Sequence, residues 1–240
     1  FGGHVEETRR MLFFSVFLWL GIDILGFSPR GVFLFGSFLC FLLTYIAYGL
    51  MPQLFIRCLN WILTHTLYSL KVFGKDNIPK RGGALIVCNH VSYVDACLLL
   101  ASIERPIKFL MYRSIYEMPF IKQVVHRSGA IPIASEDNPK EMLKSLKKAA
   151  KAIEEGELVC IFAEGGITRI GRMLPFQKGL ERIVKNLNAP IIPAYIDRMW
   201  GSIFSFKDGK FFWKKPREIP HRVSISYGKP LASGISTSKV

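Results

Sequence analysis

Between Gly31 and Ile56 the chain carries no charged residue. A helix needs roughly 20 apolar residues to cross a hydrocarbon core about 30 Å thick, so residues 32–56 are long enough to form a transmembrane span. A second apolar stretch, residues 11–27, precedes it and is interrupted by Asp23; it reads as another crossing or as a re-entrant piece. Ser28-Pro29-Arg30-Gly31 between them has the residues of a hairpin tip. Residues 1–60 are therefore expected to form a membrane segment, a transmembrane helical hairpin. The alternative is a pair of buried helices in a soluble fold. The apolar stretch is too long, doubled and without a small-residue cleavage site for a secretory leader.

Charge divides the chain in the same place. The formal net charge is +14, and residues 1–60 hold four Lys/Arg against three Asp/Glu, which leaves +13 for residues 61–240. A basic domain joined to an apolar segment fits the anionic cytoplasmic face of a bilayer. Arg9, Arg10 and Arg57 flank the spans and only Arg30 lies at the tip, which puts both ends on the cytoplasmic side of the inner membrane. A nucleic-acid partner is not expected, because there is no RNP-like aromatic motif, zinc-finger spacing or recognition-helix pattern. Five cysteines, an odd number with no C-x-x-C pair and mostly within apolar runs, read as buried thiols in a reducing compartment. Cys88 as a nucleophile is the weaker reading, since it ends the apolar run ALIVC.

Residues 61–232 alternate short apolar runs with longer helical ones, the pattern of an α/β domain. After an amphipathic stretch at 59–74, strands are predicted at 84–88, 107–111, 130–133, 158–162, 191–196 and 223–227. A helix is predicted at 139–155, with Pro139 in its first turn, an apolar stripe at Met142, Leu146, Ala149, Ala150 and Ile153, and Gly156 at its end. Residues 233–240 read as a tail.

Two segments carry chemistry. In Asn89-His90-Val91-Ser92-Tyr93-Val94-Asp95 a histidine and a carboxylate lie five residues apart at the exit of a predicted strand. On one helix that step turns the side chains about 140° apart; they meet only if His90 lies in the turn before the helix and Asp95 in its first turn. An imidazole oriented by a carboxylate makes a general base near neutral pH. Ser92-x-x-Asp95 is also a capping-box pattern with Ser92 as N-cap, and that structural use is open at this point. The second segment, Phe162–Met173, follows another predicted strand with glycines, Thr168, Arg169 and Arg172. Its composition suits an anion pocket, although a glycine turn with solvated arginines would read alike. Neither a P-loop nor a dinucleotide fingerprint is present.

In these blocks, His90 to Asp95 and then Glu164-Gly165, each after a strand, the chain resembles the glycerolipid acyltransferase family, which includes 1-acylglycerol-3-phosphate and 2-acylglycerophosphoethanolamine acyltransferases. The resemblance covers roughly residues 65–230. It implies a mixed, largely parallel sheet flanked by helices, with His90 deprotonating the acceptor hydroxyl and Asp95 orienting the imidazole. It further implies that Glu164, Gly165, Gly166, Thr168 and Arg169 bind the acceptor, without metal or cofactor. The expanded block Glu164-Gly165-Gly166-Ile167-Thr168-Arg169 looks like the 2-acylglycerophosphoethanolamine branch. No arginine follows Ile133, where the family usually has one. The implied activity is transfer of a fatty acyl group from an acyl carrier protein or coenzyme A thioester to a lysophospholipid.

The region from Asp197 to Leu231 resembles proteins that join a transporter, such an acyltransferase and an acyl-activating synthetase. By that comparison another chain supplies a transporter or synthetase module. Lys144, Lys147, Lys148 and Lys151 could dock an acidic carrier, or simply form a solvated face. The alternative functions are a non-catalytic lipid-binding membrane module and a thioesterase-like hydrolase.

Overall fold

The computed structural model describes residues 16, 26, 28–50, 58, 60–62, 64–133, 139–177, 189–209 and 218–232. The chain divides into two units, Phe1–Phe55 and Ile56–Val240. In the first, helix α1 (Pro29–Leu50) has 22 residues, about 33 Å at 1.5 Å per residue. Phe33, Leu34, Phe35, Phe38 and Phe41 are exposed along it, and its residues Pro29–Ile46 are long and apolar enough to cross a membrane. The predicted span at 32–56 thus begins earlier, at Pro29, and residues 51–57 lie outside the described ones, as does the predicted span at 11–27 apart from residues 16 and 26. Pro29 and Gly31, expected at a hairpin tip, sit in the first turn of this helix, and the arm expected before them lies outside the described residues. The Ser28 hydroxyl accepts the Gly31 N–H at 3.2 Å and its carbonyl accepts the Val32 N–H at 3.0 Å. A proline suits that turn because its missing N–H would have no helical partner.

The second unit is built on one seven-stranded sheet in the order β1-β7-β6-β2-β5-β3-β4. The strands are β1 (Tyr68–Phe73), β2 (Ala84–Cys88), β3 (Ile107–Tyr112), β4 (Ile131–Ile133), β5 (Leu158–Phe162), β6 (Ile191–Asp197) and β7 (His221–Tyr227). Helices α2 (Asp95–Ser102), α3 (Arg113–Tyr116), α4 (Pro119–Arg127) and α5 (Pro139–Glu154) connect them. Every pairing is parallel except β6 with β7.

All six predicted strands are present; those at 84–88 and 158–162 keep their predicted ends, and in the other four one end moves by one or two residues. β1 was not predicted: the stretch at 59–74 is helical at 60–62 and 64–66 and then extends into a strand. Tyr68, Leu70 and Val72 alternate with more exposed neighbours, and pairing with the distant β7 decides in favour of that period of two.

β2 is a continuous apolar run because both faces of the sheet are covered. Ala84, Ile86 and Cys88 enter one core with Leu98 and Leu99 of α2, while Leu85 and Val87 enter another with Leu146, Ala149 and Ile153 of α5. The predicted helix at 139–155 is present as α5, with Leu146, Ala149 and Ile153 of its stripe fully buried. Burial pushes the thiols of Cys88 and Cys160 well above the usual range for cysteine, and the neighbouring Cys160 further disfavours ionisation of Cys88.

β2 and β5 are neighbours and end in register, Cys88 opposite Phe162. Beyond Cys88 the ladder to β6 is continued by a side chain. Asn89, buried, donates to the Ile196 carbonyl at 3.0 Å and accepts the Ile196 N–H at 2.7 Å. The peptide that leads into His90 is thereby held against the sheet.

Asn89→Ala strips a buried strand of both partners and is expected to destabilise the protein by about 1–3 kcal/mol, to be measured by denaturant unfolding. Cys88 and Cys160 are expected to resist iodoacetamide at pH 8 in the folded protein and to be alkylated after denaturation, as read by peptide mass spectrometry.

Candidate active site

The carboxyl ends of adjacent parallel strands are where an α/β sheet opens a crevice, and both segments singled out in the sequence leave the sheet there, from β2 and β5. His90 lies in the turn before α2 and Asp95 is the first residue of that helix. His90 Nδ1 is 2.9 Å from Asp95 Oδ2. The carboxylate is fully buried, whereas 18% of the His90 side chain remains exposed. Asp95 Oδ2 also accepts the N–H groups of Val91 (2.6 Å) and Ser92 (2.8 Å), and Oδ1 accepts the Ser92 hydroxyl at 2.8 Å.

The two uses foreseen for Asp95 therefore coexist, since the same carboxylate orients the imidazole and caps the chain entering α2. Ser92 is not the N-cap, however; Val94 holds that position. The Ser92 hydroxyl is donated to Asp95, so Asp95 binds the Ser92 amide in capping-box fashion without the reciprocal bond. Because a carboxylate only accepts, the Nδ1 of His90 carries the proton and Nε2 is the basic nitrogen. The imidazole lies flat on Phe162, with ring centroids 4.0 Å apart and planes at 12°.

The glycine-rich segment folds back over the His90 turn. Glu164 is buried and accepts the His90 N–H on Oε1 at 2.9 Å and the Leu174 N–H on Oε2 at 2.7 Å. The Thr168 N–H donates to the His90 carbonyl at 2.9 Å, while its hydroxyl donates to the Arg172 carbonyl at 2.6 Å. Gly165 adopts φ +67° with its α-carbon against Gln177, where a β-carbon would come within 2.8 Å of Cγ; only glycine fits without displacement.

A cavity of about 960 Å³ opens in front of these loops. His90, Gly165, Gly166 and Arg169 line it, whereas the buried Asp95, Glu164 and Thr168 do not. Glu164 and Thr168, expected to bind an anion, thus spend their polar atoms on backbone groups. Most of the remaining lining is apolar, including Phe109, Leu110, Met111, Ile133, Ile161 and Phe176. At one side Arg169 places its guanidinium carbon 5.3 Å from the centre of the Phe206 ring, and Phe206 lies 5.7 Å from the Tyr93 ring. Among the described residues, no cluster of three or more His, Cys, Asp or Glu could hold a metal ion.

Sequence reasoning missed Asn89, Phe206 and the Ser205 contact with Ser92, a bridge between the loop after β6 and the His90 turn. Only Asn89 left a trace, as a polar residue at a strand exit.

A family model described as Acyltransferase matches residues 69–197, which contain both loops. The 1-acyl-sn-glycerol-3-phosphate acyltransferase of Bacillus subtilis is 30% identical over 142 residues, 59% of this chain and 69% of that protein. The enzyme of that name from Limnanthes douglasii is 28% identical over 216 residues, 82% of this chain and 73% of that protein. The chain spans only 38% of the chloroplastic BAT2 protein of Brassica napus, to which it is 29% identical. The crystal structure of the 1-acyl-sn-glycerophosphate acyltransferase PlsC from Thermotoga maritima superimposes with a TM-score of 0.62 over 97% of this chain and 90% of that one, at 20% identity, a likeness of fold. With its sheet, both strand-exit loops and the family match spanning them, the chain belongs to the Acyltransferase family of enzymes.

Proposed function

We propose that the protein transfers a fatty acyl group from an acyl carrier protein or coenzyme A thioester to the free hydroxyl of a lysophospholipid. The observation that carries this reading is the His90–Asp95 pair at the wall of a largely apolar cavity with a guanidinium at its side. An alkyl chain leaves water for such a cavity at roughly 0.8 kcal/mol per methylene. Its relatives from Bacillus subtilis and Limnanthes douglasii are named for a 1-acyl-sn-glycerol-3-phosphate acceptor, which favours a lysophospholipid with a phosphate close to the hydroxyl.

In this mechanism Nε2 of His90 takes the proton of the acceptor hydroxyl as its oxygen attacks the thioester carbonyl. The imidazolium is stabilised by Asp95 through Nδ1–H. Collapse of the tetrahedral intermediate breaks the carbon–sulfur bond, and Nε2 returns the proton to the departing thiolate. Products are a diacyl phospholipid and a free thiol. Gly165 and Gly166 let the acceptor approach the loop backbone, and Arg169 faces its phosphate. Attachment to the cytoplasmic membrane through α1 belongs to the same proposal.

His90→Ala is expected to lower turnover about 10²- to 10⁴-fold with the fold retained, measured with labelled acyl thioester and lysophospholipid; unchanged turnover would defeat the assignment. Free fatty acid formed equally with and without acceptor would indicate a hydrolase instead. Arg169→Ala is expected to raise the acceptor KM about tenfold or more, the loss of one charge-assisted phosphate contact, with no such change for the thioester.

A further inference from the structure

The backbone of His90 is held on both sides by the segment that follows β5. Its N–H donates to Glu164 Oε1 and its carbonyl accepts the Thr168 N–H, each at 2.9 Å. The other Glu164 oxygen accepts the Leu174 N–H at 2.7 Å. Leu174 closes the loop that carries Gly165, Gly166 and Arg169 past the cavity, and that closure is completed by the Gln177 N–H on the Ala163 carbonyl at 2.8 Å. Glu164 itself is 3% exposed and does not line the cavity.

We propose that Glu164 is a positioning residue for the transfer reaction: its carboxylate fixes the His90 peptide to the acceptor loop, so that the imidazole and the anion-facing side chains move as one body. The inference rests on the acyl-transfer reading of the site. A carboxylate is required because two backbone N–H groups converge on it, one per oxygen, and both need an acceptor. A glutamine of the same shape presents one oxygen and one NH₂ group, so one of the two N–H groups faces another donor in either orientation. An alanine leaves both unpaired. The role differs from binding the acceptor, since a ligand contact would appear in KM whereas a displaced base appears in kcat.

The test compares Glu164→Gln and Glu164→Ala in the full chain, in detergent, with rates normalised to the folded fraction from near-ultraviolet circular dichroism. The kcat is expected to fall in the order Glu, Gln, Ala, by about 10- to 100-fold, the effect of misplacing a reacting group by around 1 Å. The acceptor KM is expected to stay within about twofold, in contrast to Arg169→Ala. In protein carrying ¹⁵N-histidine, the His90 ring resonances are expected to shift in both Glu164 variants and to stay in place in Arg169→Ala. A rise in acceptor KM with kcat retained would make Glu164 part of the binding pocket and overturn the proposal. So would a loss of kcat no larger than the loss of folded protein, or unmoved His90 resonances. If the unaltered protein showed no transfer at all, the acyl-transfer reading would fail, while the resonances would still decide whether Glu164 places His90.

Discussion

A carboxylate with no contact to water is costly unless donors surround it. Asp95, with 0% of its side chain exposed, gathers the Val91 and Ser92 amides, the Ser92 hydroxyl and the His90 ring. Each donor removed leaves that buried carboxylate less well satisfied. The turn from β2 into α2 is therefore wound around one functional group, and 18% of the His90 side chain stays exposed beside it. The histidine–carboxylate contact and the capping of the helix are satisfied together, and this is why a five-residue spacing brings the two side chains into contact although it fails on a continuous helix.

The turn also has to be aimed. Parallel strands that finish side by side release their loops on the same edge, and β2 and β5 do so at Cys88 and Phe162. Asn89 extends the sheet by one more rung toward Ile196, and Glu164 and Thr168 grip the next peptide from the other side. His90 is thus fixed through its main chain by the loop that follows β5 and, through the preceding Asn89, by β6, and its ring lies on Phe162. Little conformational freedom is left for a substrate to remove on binding.

Much of this is legible in the sequence. The runs ALIVC and LVCIF are apolar throughout because both faces are covered, and glycines mark where β5 gives way to a loop. The histidine–carboxylate spacing pointed to a turn followed by a helix. β1 was hidden because LYSLKV fits either period when its partner β7 lies far along the chain. Polar residues beside a site, such as Asn89, Glu164 and Thr168, serve either the ligand or the backbone, and only the positions of nearby amides and carbonyls tell which. Here those atoms come from Ile196, His90, Leu174 and Arg172. The loop bearing Phe206 gave no signal, since its relation to Arg169 is made by tertiary packing alone.

That packing sets how the positive group presents itself. A guanidinium resting on an aromatic face is oriented as well as charged, with its donors directed outward in the plane. An anion met by such a group is distinguished by the arrangement of its oxygens as much as by its charge. A flexible ammonium at the same place would keep the attraction and lose the template, so discrimination among anions would fade before affinity did.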